Sequence, residues 1–434
     1  MQPKSQLKVV IVGGSISGLT LAHALDRANI DWVVLDGHPI ALPIGASISI
    51  FQNGSMVLDP LGIYDDLRAL VHPMRKNYIR LSNGKAWQTS EAGKELKNLF
   101  GYSSCQLPRQ RIIQLLYDHI GDKSKVYAGK EHRVLRVDHS DDGVEVITEN
   151  GTSFRGDVVV VADGIHSTVR SEMWRHAQAI DPKAMHTDTA NKFVSDYSCL
   201  FGISEPIEGL PAGESNIIIG NTKASYLAFI GMGGEVYWLM YHKMSSKHQW
   251  PDSPRFSKED AELLANTHLK DKITETVTFE DVWKKRKTST LLPMDEGVLD
   301  TWHWGRFVTV GDSTHKMTVN LGQGGNCAIE GAASLANALN ALITSCRGEK
   351  PTMADIDSVL RSYQSSQKPR IKSIAKAAWD LTRVQYFEHP KTWLFLASTF
   401  SFVDPIKQAG INMYLDTHTI NYLPQCCVDL LIKG

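Results

Sequence analysis

The sequence predicts an α/β chain: a parallel-sheet domain, discontinuous along the sequence, with an inserted mixed or antiparallel sheet and C-terminal helices. Three observations predict it. Apolar strands that end in glycine or aspartate recur at "LKVVIVGG" (7–14), "DVVVVADG" (157–164) and "RFVTVGD" (306–312). The first opens a strand–helix–strand unit that is complete by residue 37. From about 190 to 290 the texture changes to short strands of mixed composition.

The elements follow in order. Residues 7–14 form an apolar run closed by glycines, the pattern of a strand buried on both faces. "SGLTLAHALDRANI" (17–30) is a helix whose small Gly18 and Ala22, four apart, let one face sit close to a sheet. "DWVVLDG" (31–37) is the second strand, ending in Asp36. Residues 44–63 read as a loop and then a helix, and "QLPRQRIIQLLYDHI" (106–120) as an amphipathic helix. Residues 125–164 alternate strand-like runs with the turn signals "DDG" and "ENG". "YSCLFGIS", "SNIIIG", "SYLAFIG" and "EVYWLMYHKM" supply the inserted sheet. The chain then returns to a parallel strand at 306–312 and to a helix with Ala328, Ala332, Leu335, Leu339 and Leu342 on one face. Residues 351–390 read as helical. The expected division is 1–77, 103–180 and 292–350 for the first domain, 78–102 and 181–291 for the inserted one, and 351–434 for a C-terminal helical region.

Bulk numbers bound the function. The 434 residues carry 46 Lys plus Arg against 47 Asp plus Glu, a formal net charge of −1. A nucleic-acid partner is not expected from that balance, because binding phosphates calls for a basic surplus. The six cysteines include no CxxC, so neither a disulfide framework nor a metal site is expected, and a reducing, cytoplasmic setting fits. The N-terminus enters a strand almost at once, leaving no room for a signal peptide. The apolar run "WLFLASTFSFV" (393–403) falls short of the roughly 20 residues that span a bilayer. It reads as a buried helix, with peripheral membrane contact, for example at the endoplasmic reticulum surface, as the second reading.

Three motifs carry chemistry. "GGSISG" (13–18) nearly matches GxGxxG between strand and helix, with Gly13, Gly14 and Gly18 in place and Ser15 at the second glycine position. Asp36 sits where an acid can accept hydrogen bonds from a ribose diol. "ADGIHSTVR" (162–170) places Asp163 and Gly164 after a four-valine strand. "VGDSTHKMTVNLGQGGN" (310–326) puts Asp312 at a strand end, His315 and Lys316 in the turn, and Gly322, Gly324, Gly325 and Asn326 at the opening of a helix. Bare N–H groups there favour an anion or polar ligand. HExxH, Walker and GxSxG motifs are not found, and "WHWGR" (302–306) reads as packing before the strand.

Taken in order, the three motifs resemble those of the class A flavoprotein monooxygenases, the aromatic-hydroxylase-like family, over most of residues 7–345. The resemblance implies a Rossmann-like FAD-binding domain, with "GGSISG" as its dinucleotide loop, "ADG" as the loop serving FAD and NAD(P)H, and "GD…GQGGN" at the ribityl chain and flavin. Arg109 in "LPRQRII" matches the family's arginine near FAD. A finer resemblance is to the fungal FAD-dependent epoxidases and hydroxylases of meroterpenoid and indole-diterpene pathways. It is carried by "GASI", "RQ", "ADGIHSTVRSEMW", "FGIS", "VYW" and "GDSTHKMT". That branch also tolerates serine at position 15. It implies a reductant, NADPH or NADH, an oxygen transferred through a flavin C4a-hydroperoxide, and a hydrophobic small-molecule substrate. The chain departs from the pattern at Val319, where the family usually has proline, at Ser49, where it has glycine, and at Gly331.

Two residues are candidates for touching the reaction. His315 is placed to hydrogen-bond near the flavin, with a structural role as the alternative. Tyr226 (like Tyr237) lies on a strand expected to face a pocket, with core packing as the alternative. Two other functions stay open: the same fold with altered chemistry, an isomerase, cyclase or dehydrogenase, which Val319 and Ser49 favour; and a flavin-binding protein without catalysis.

Overall fold

The computed structural model describes residues 6–43, 47–71, 73–184, 193–220, 224–388 and 404–425. The apolar run at 393–403 lies outside them.

The strands that end in glycine or aspartate share one sheet. Its six strands run in the order His303–Trp304, Phe307–Thr309, Val158–Val161, Lys8–Val12, Asp31–Asp36 and Val126–Ala128. All neighbours are parallel except the first pair. Val9, Val10, Ile11 and all four valines of 158–161 are fully buried. β-Branched residues suit a central strand covered on both faces, and each fully buried Val or Ile contributes about 1.5–3 kcal/mol. The helices Ile16–Arg27 and Gly324–Ser345 pack against each other. Both begin at the carboxyl edge of this sheet, where α/β sheets place their ligands.

The inserted sheet has eight strands, in the order His315–Lys316, Arg286–Val298, Val194–Ser204, Val236–Gln249, Ser225–Ile230, Glu214–Ile219, Lys76–Leu81 and Ala86–Ser90. It is antiparallel except where Glu214–Ile219 runs parallel to Lys76–Leu81. Side chains alternate between its two faces. On one face Leu200, Tyr226, Ala228, Trp238 and Met240 form a core with Phe279 and Trp283. The other face turns Phe201, Leu227, Phe229 and Leu239 toward the parallel-sheet domain. The pairing of Lys316 with Gly297 ties the sheet to the loop that follows the last parallel strand.

Two local expectations change. The loop read at the start of 44–63 contains a strand, Ser47–Ile50, antiparallel to Cys105–Pro108. The helix read over 106–120 therefore begins only at Arg109. Pro108 explains both, since a proline holds the residue before it extended. The C-terminal region is dominated by one helix, Met353–Gln385. Thr352 and Asp355 close its N-terminus reciprocally: Thr352 Oγ1 accepts from the Asp355 amide at 3.2 Å, and Asp355 Oδ2 accepts from the Thr352 amide at 2.9 Å. Among the described residues no helix is long and apolar enough to cross a membrane, and no cluster of His, Cys, Asp and Glu is arranged to hold a metal.

Candidate functional site: a two-ended cleft

A cavity of about 730 Å³ lies between the parallel sheet's carboxyl edge and the inserted sheet. One end is built from the three glycine-bearing loops. Gly13, Ser15, Asp36, Asp163, Gly164, Asp312, Gly322, Gly324 and Gly325 all line it, as do Ser49 and Arg109.

The loops have this shape because side chains do not fit. Gly13 has φ +119°, and a Cβ there would lie 2.2 Å from the carbonyl oxygen of Ala162. A Cβ on Gly18 would lie 1.9 Å from the Gly13 carbonyl oxygen. Those two contacts bring the first loop against the second and the helix against its own turn. Gly14 does not line the cavity; its amide donates to Asp36 Oδ2 at 2.7 Å. That bond and the amide of His38, 2.8 Å from Oδ1, fix the carboxylate at the strand end.

Ser15, the departure from glycine, has a partner. Its Oγ accepts a 2.7 Å bond from Arg109 Nη2. The guanidinium is thereby held across the mouth of the first loop. Nearby, Ser49 Oγ donates to Gln106 Oε1, another cavity residue. Asn326 was expected to bind ligand, but its side chain is spent on backbone. Nδ2 donates to the carbonyls of Ser49 and Gly322 at 2.9 and 2.8 Å, and Oδ1 accepts from the Phe51 amide at 2.9 Å. It joins the short strand to the glycine turn and does not line the cavity.

Charge at this end is arranged, not scattered. Burial pushes the Asp163 carboxyl above its ordinary pKa. Its Oδ1 is buried without a partner, while Oδ2 accepts from the Val169 amide at 3.3 Å. Burial also acts to raise Asp312, but Lys316 outweighs it and holds the carboxyl below its ordinary value. Lys316 Nζ donates to Asp312 Oδ2 at 2.7 Å and itself lines the cavity. Arg170 is fully buried and donates to the carbonyls of Ser313, at 2.8 Å, and Ile165. It locks the second loop to the third.

The other end is apolar, lined by Phe51, Phe201, Leu227, Phe229, Leu239 and Val319, among others. Neither candidate reaction residue lines the cavity. Tyr226 is 2% exposed on the opposite sheet face and donates to Asp271 Oδ2 at 2.5 Å. Leu227 and Phe229, one and three residues further on, take the place expected for it; the strict alternation in "SYLAFIG" carries that signal. Tyr237 is buried on the cavity side without reaching the lining. His315 is 3% exposed, packs 6.3 Å from Trp302, and has its pKa lowered to about 4 by burial.

A further polar network reaches from Gln323 of the third motif to residues outside all three. Asn53 Nδ2 donates to Gln323 Oε1 and Glu330 Oε1 at 2.9 and 2.6 Å. Arg370 grips Glu330 through two bonds of 2.7 and 2.9 Å, and also reaches the Met413 carbonyl. It fastens the long C-terminal helix behind the glycine turn.

The polar end fits FAD. The glycine contacts leave an open cradle at Gly164 and Gly324, where a Cβ would meet nothing within 4 Å. The partnerless Asp163 oxygen lies at its wall, and the Gly324–Ser345 helix points its N-terminal amides into the cleft.

The comparisons agree. Residues 6–378 match the FAD binding domain family. The FAD-dependent monooxygenase olcE of Penicillium canescens is 38% identical over 387 residues, 89% of this chain and 82% of its own. The FAD-dependent monooxygenase nodM of Hypoxylon pulicicidum is 40% identical over 381 residues, 88% and 81% of the two chains. Klebsiella pneumoniae HpxO, solved with FAD and uric acid, superposes with a TM-score of 0.75 at 20% identity, covering 95% of this chain and 97% of its own, a likeness of fold. With its glycine loops, its two-ended cleft and relatives of this kind over most of its length, the chain belongs to the FAD-dependent monooxygenases.

Proposed function

We propose that the protein uses NADPH or NADH and O₂ to place one oxygen atom on a hydrophobic secondary metabolite, by epoxidation or hydroxylation of a prenylated, terpenoid or polycyclic skeleton. The second oxygen atom leaves as water, with the nicotinamide supplying the two electrons. The observation that carries this reading is the wall of Phe201, Leu227, Phe229 and Leu239 facing the polar end across one cavity. Its relatives are monooxygenases by name.

FAD, when bound, supplies the oxygen chemistry. The chain's residues supply position and electrostatics. Asp36 is set to accept the adenosine ribose hydroxyls and Asp312, kept ionised by Lys316, those of the ribityl chain. Arg109, held by Ser15, would meet the diphosphate. The N-terminal amides of the 324–345 helix would stabilise negative charge on a flavin held there. The apolar wall orients the substrate and excludes water. No side chain is asked to act as acid or base.

The purified protein, given NADPH under air, should show flavin absorbance that bleaches and recovers while O₂ is consumed. Product formed with no bleaching would transfer the case to the second reading, altered chemistry on the same fold, which the departures at Val319 and Ser49 favour. We also propose a cytoplasmic location with the 391–434 segment resting on a membrane surface; failure of the full-length chain to co-sediment with liposomes would remove that part.

A further inference from the structure

Val319 stands where the resembled family has proline, yet the backbone around it has a proline's shape. Thr318 has φ −59° and ψ 146°, close to the polyproline II conformation, one of those favoured before a proline. Val319 opens a single 3₁₀ turn, Val319–Leu321, closed by a 2.9 Å bond from the Gly322 amide to its carbonyl. The first position of a helical turn is the one proline prefers. Nothing in the valine ring-free backbone enforces this, so the constraint must come from elsewhere.

It comes from the two flanking residues. Thr318 Oγ1 donates to the carbonyl of Ala378 at 2.9 Å. Thr382 Oγ1 lies 3.0 Å from Asn320 Oδ1, 2.9 Å from Thr318 Oγ1 and 3.0 Å from the Ala378 carbonyl of its own helix, three acceptors for its one proton. Asn320 Nδ2 donates to Gln385 Oε1. Ala378, Thr382 and Gln385 recur at steps of four and three, one stripe of the Met353–Gln385 helix. Thr318 and Thr382 are at most 1% exposed, Asn320 and Gln385 at most 8%, whereas Val319 between them is 42% exposed at the cavity wall.

We propose that Thr382 and Gln385 are positioning residues that hold Asn320 from both ends of its amide, while Thr318 is held on the Ala378 carbonyl, and that this clamp does the work of the missing proline ring. The clamp fixes the Val319 edge of the cleft at the boundary between its polar and apolar ends. It leaves a small β-branched side chain in the wall, where substrate shape is read. The consequence for oxygen transfer rests on the monooxygenase reading; the clamp itself does not.

The test is a double-variant rescue on the full-length, FAD-loaded protein. Thr382→Val should raise hydrogen exchange of the Gly322 amide, the one that closes the turn, about tenfold, while Thr382→Ser, which keeps the hydroxyl, stays at the native rate. Adding Val319→Pro to Thr382→Val should bring exchange back to within about threefold, because the ring restores the lost constraint. Unchanged exchange in Thr382→Val, or no rescue by proline, would overturn the proposal. Should Thr382→Val fail to fold, Gln385→Leu cuts the same clamp at Asn320 and carries the same expectation. In turnover, the share of NADPH oxidation that ends as hydrogen peroxide should rise in the single variant and fall in the double one. Exchange and rescue as expected with no O₂ consumption in any variant would sink the monooxygenase reading and leave the clamp standing.

Discussion

The two ends of the cleft are built by different rules. The polar end is set by backbone packing: Gly13 and Gly18 are where they are because a single methyl group would collide with a carbonyl oxygen. The apolar end is set by alternation along three strands of one sheet, with Phe201 on one and Leu227, Phe229 and Leu239 on two others. The first rule permits almost no substitution. The second tolerates many, provided the face and the volume are kept. An enzyme divided this way can change its substrate while leaving its cofactor alone.

That contrast can be broken most sharply at Gly13. Gly13→Ala adds a Cβ 2.2 Å from a backbone oxygen at a φ that L-residues avoid. FAD binding, measured by flavin fluorescence quenching, should weaken by roughly 100-fold, about 3 kcal/mol. Leu227→Ala and Phe229→Ala should instead keep FAD affinity within about threefold and lower kcat/KM by roughly 10–200-fold, the range for apolar pocket contacts. Equal loss of FAD in both sets would mean that the two ends are not independent.

A smaller effect concerns pH. His315 is buried with its pKa at about 4, below the ordinary 6.5. The unfolded chain therefore takes up the proton first as pH falls. The stability contributed by neutral His315 is complete above pH 6.5 and is lost progressively down to about 4, on the order of 3 kcal/mol in all. Thermal unfolding from pH 7.5 to 4.5 should show a steeper decline for the native protein than for His315→Gln. Parallel declines would mean that the ring does not stay neutral.

Lys316 gives a subtler handle on the polar end. With Lys316→Met, Asp312 loses the cation that keeps its carboxyl acidic, and its pKa rises. Titrating FAD at pH 7.5 and pH 5 should then show a loss of roughly threefold at the lower pH that the native protein lacks, a modest figure because both side chains are partly solvated. The smallest change is expected at Tyr226. Tyr226→Phe removes a hydrogen bond on the far face of the inserted sheet, costing about 1 kcal/mol of stability and leaving kcat within about twofold. A large drop in kcat would show that the two sheet faces communicate.

How much of this was legible in the sequence follows the same division. The glycine loops, Asp36, Asp163 and Asp312 could be read because each lies within a few residues of a strand end, so local order carries the geometry. Tyr226 takes the core-packing role of its two readings, because alternation along its strand gives the cavity side to Leu227 and Phe229. Asn326 was read as a ligand contact because a motif does not say which way an amide turns; three backbone groups claimed it. The grip of Arg370 on Glu330 and the clamp at Thr382 join segments some 40 and 64 positions apart. Neither leaves a local pattern to read.

The interruption of the parallel sheet also governs the order of events at the ribosome. Val158–Val161 must wait for Phe307–Thr309, and Arg306 reaches the Asp157 carbonyl across 149 positions. At roughly 5–20 residues per second, that is a delay of about 7–30 s during which one edge of the apolar valine strand has no neighbour. Five of the inserted sheet's eight strands, from Val194–Ser204 to Arg286–Val298, are synthesised within that interval and can assemble on the earlier Lys76–Leu81 and Ala86–Ser90. A nascent chain arrested before residue 306 would thus expose a hydrophobic edge suited to chaperone capture, and release past the 324–345 helix would end that exposure.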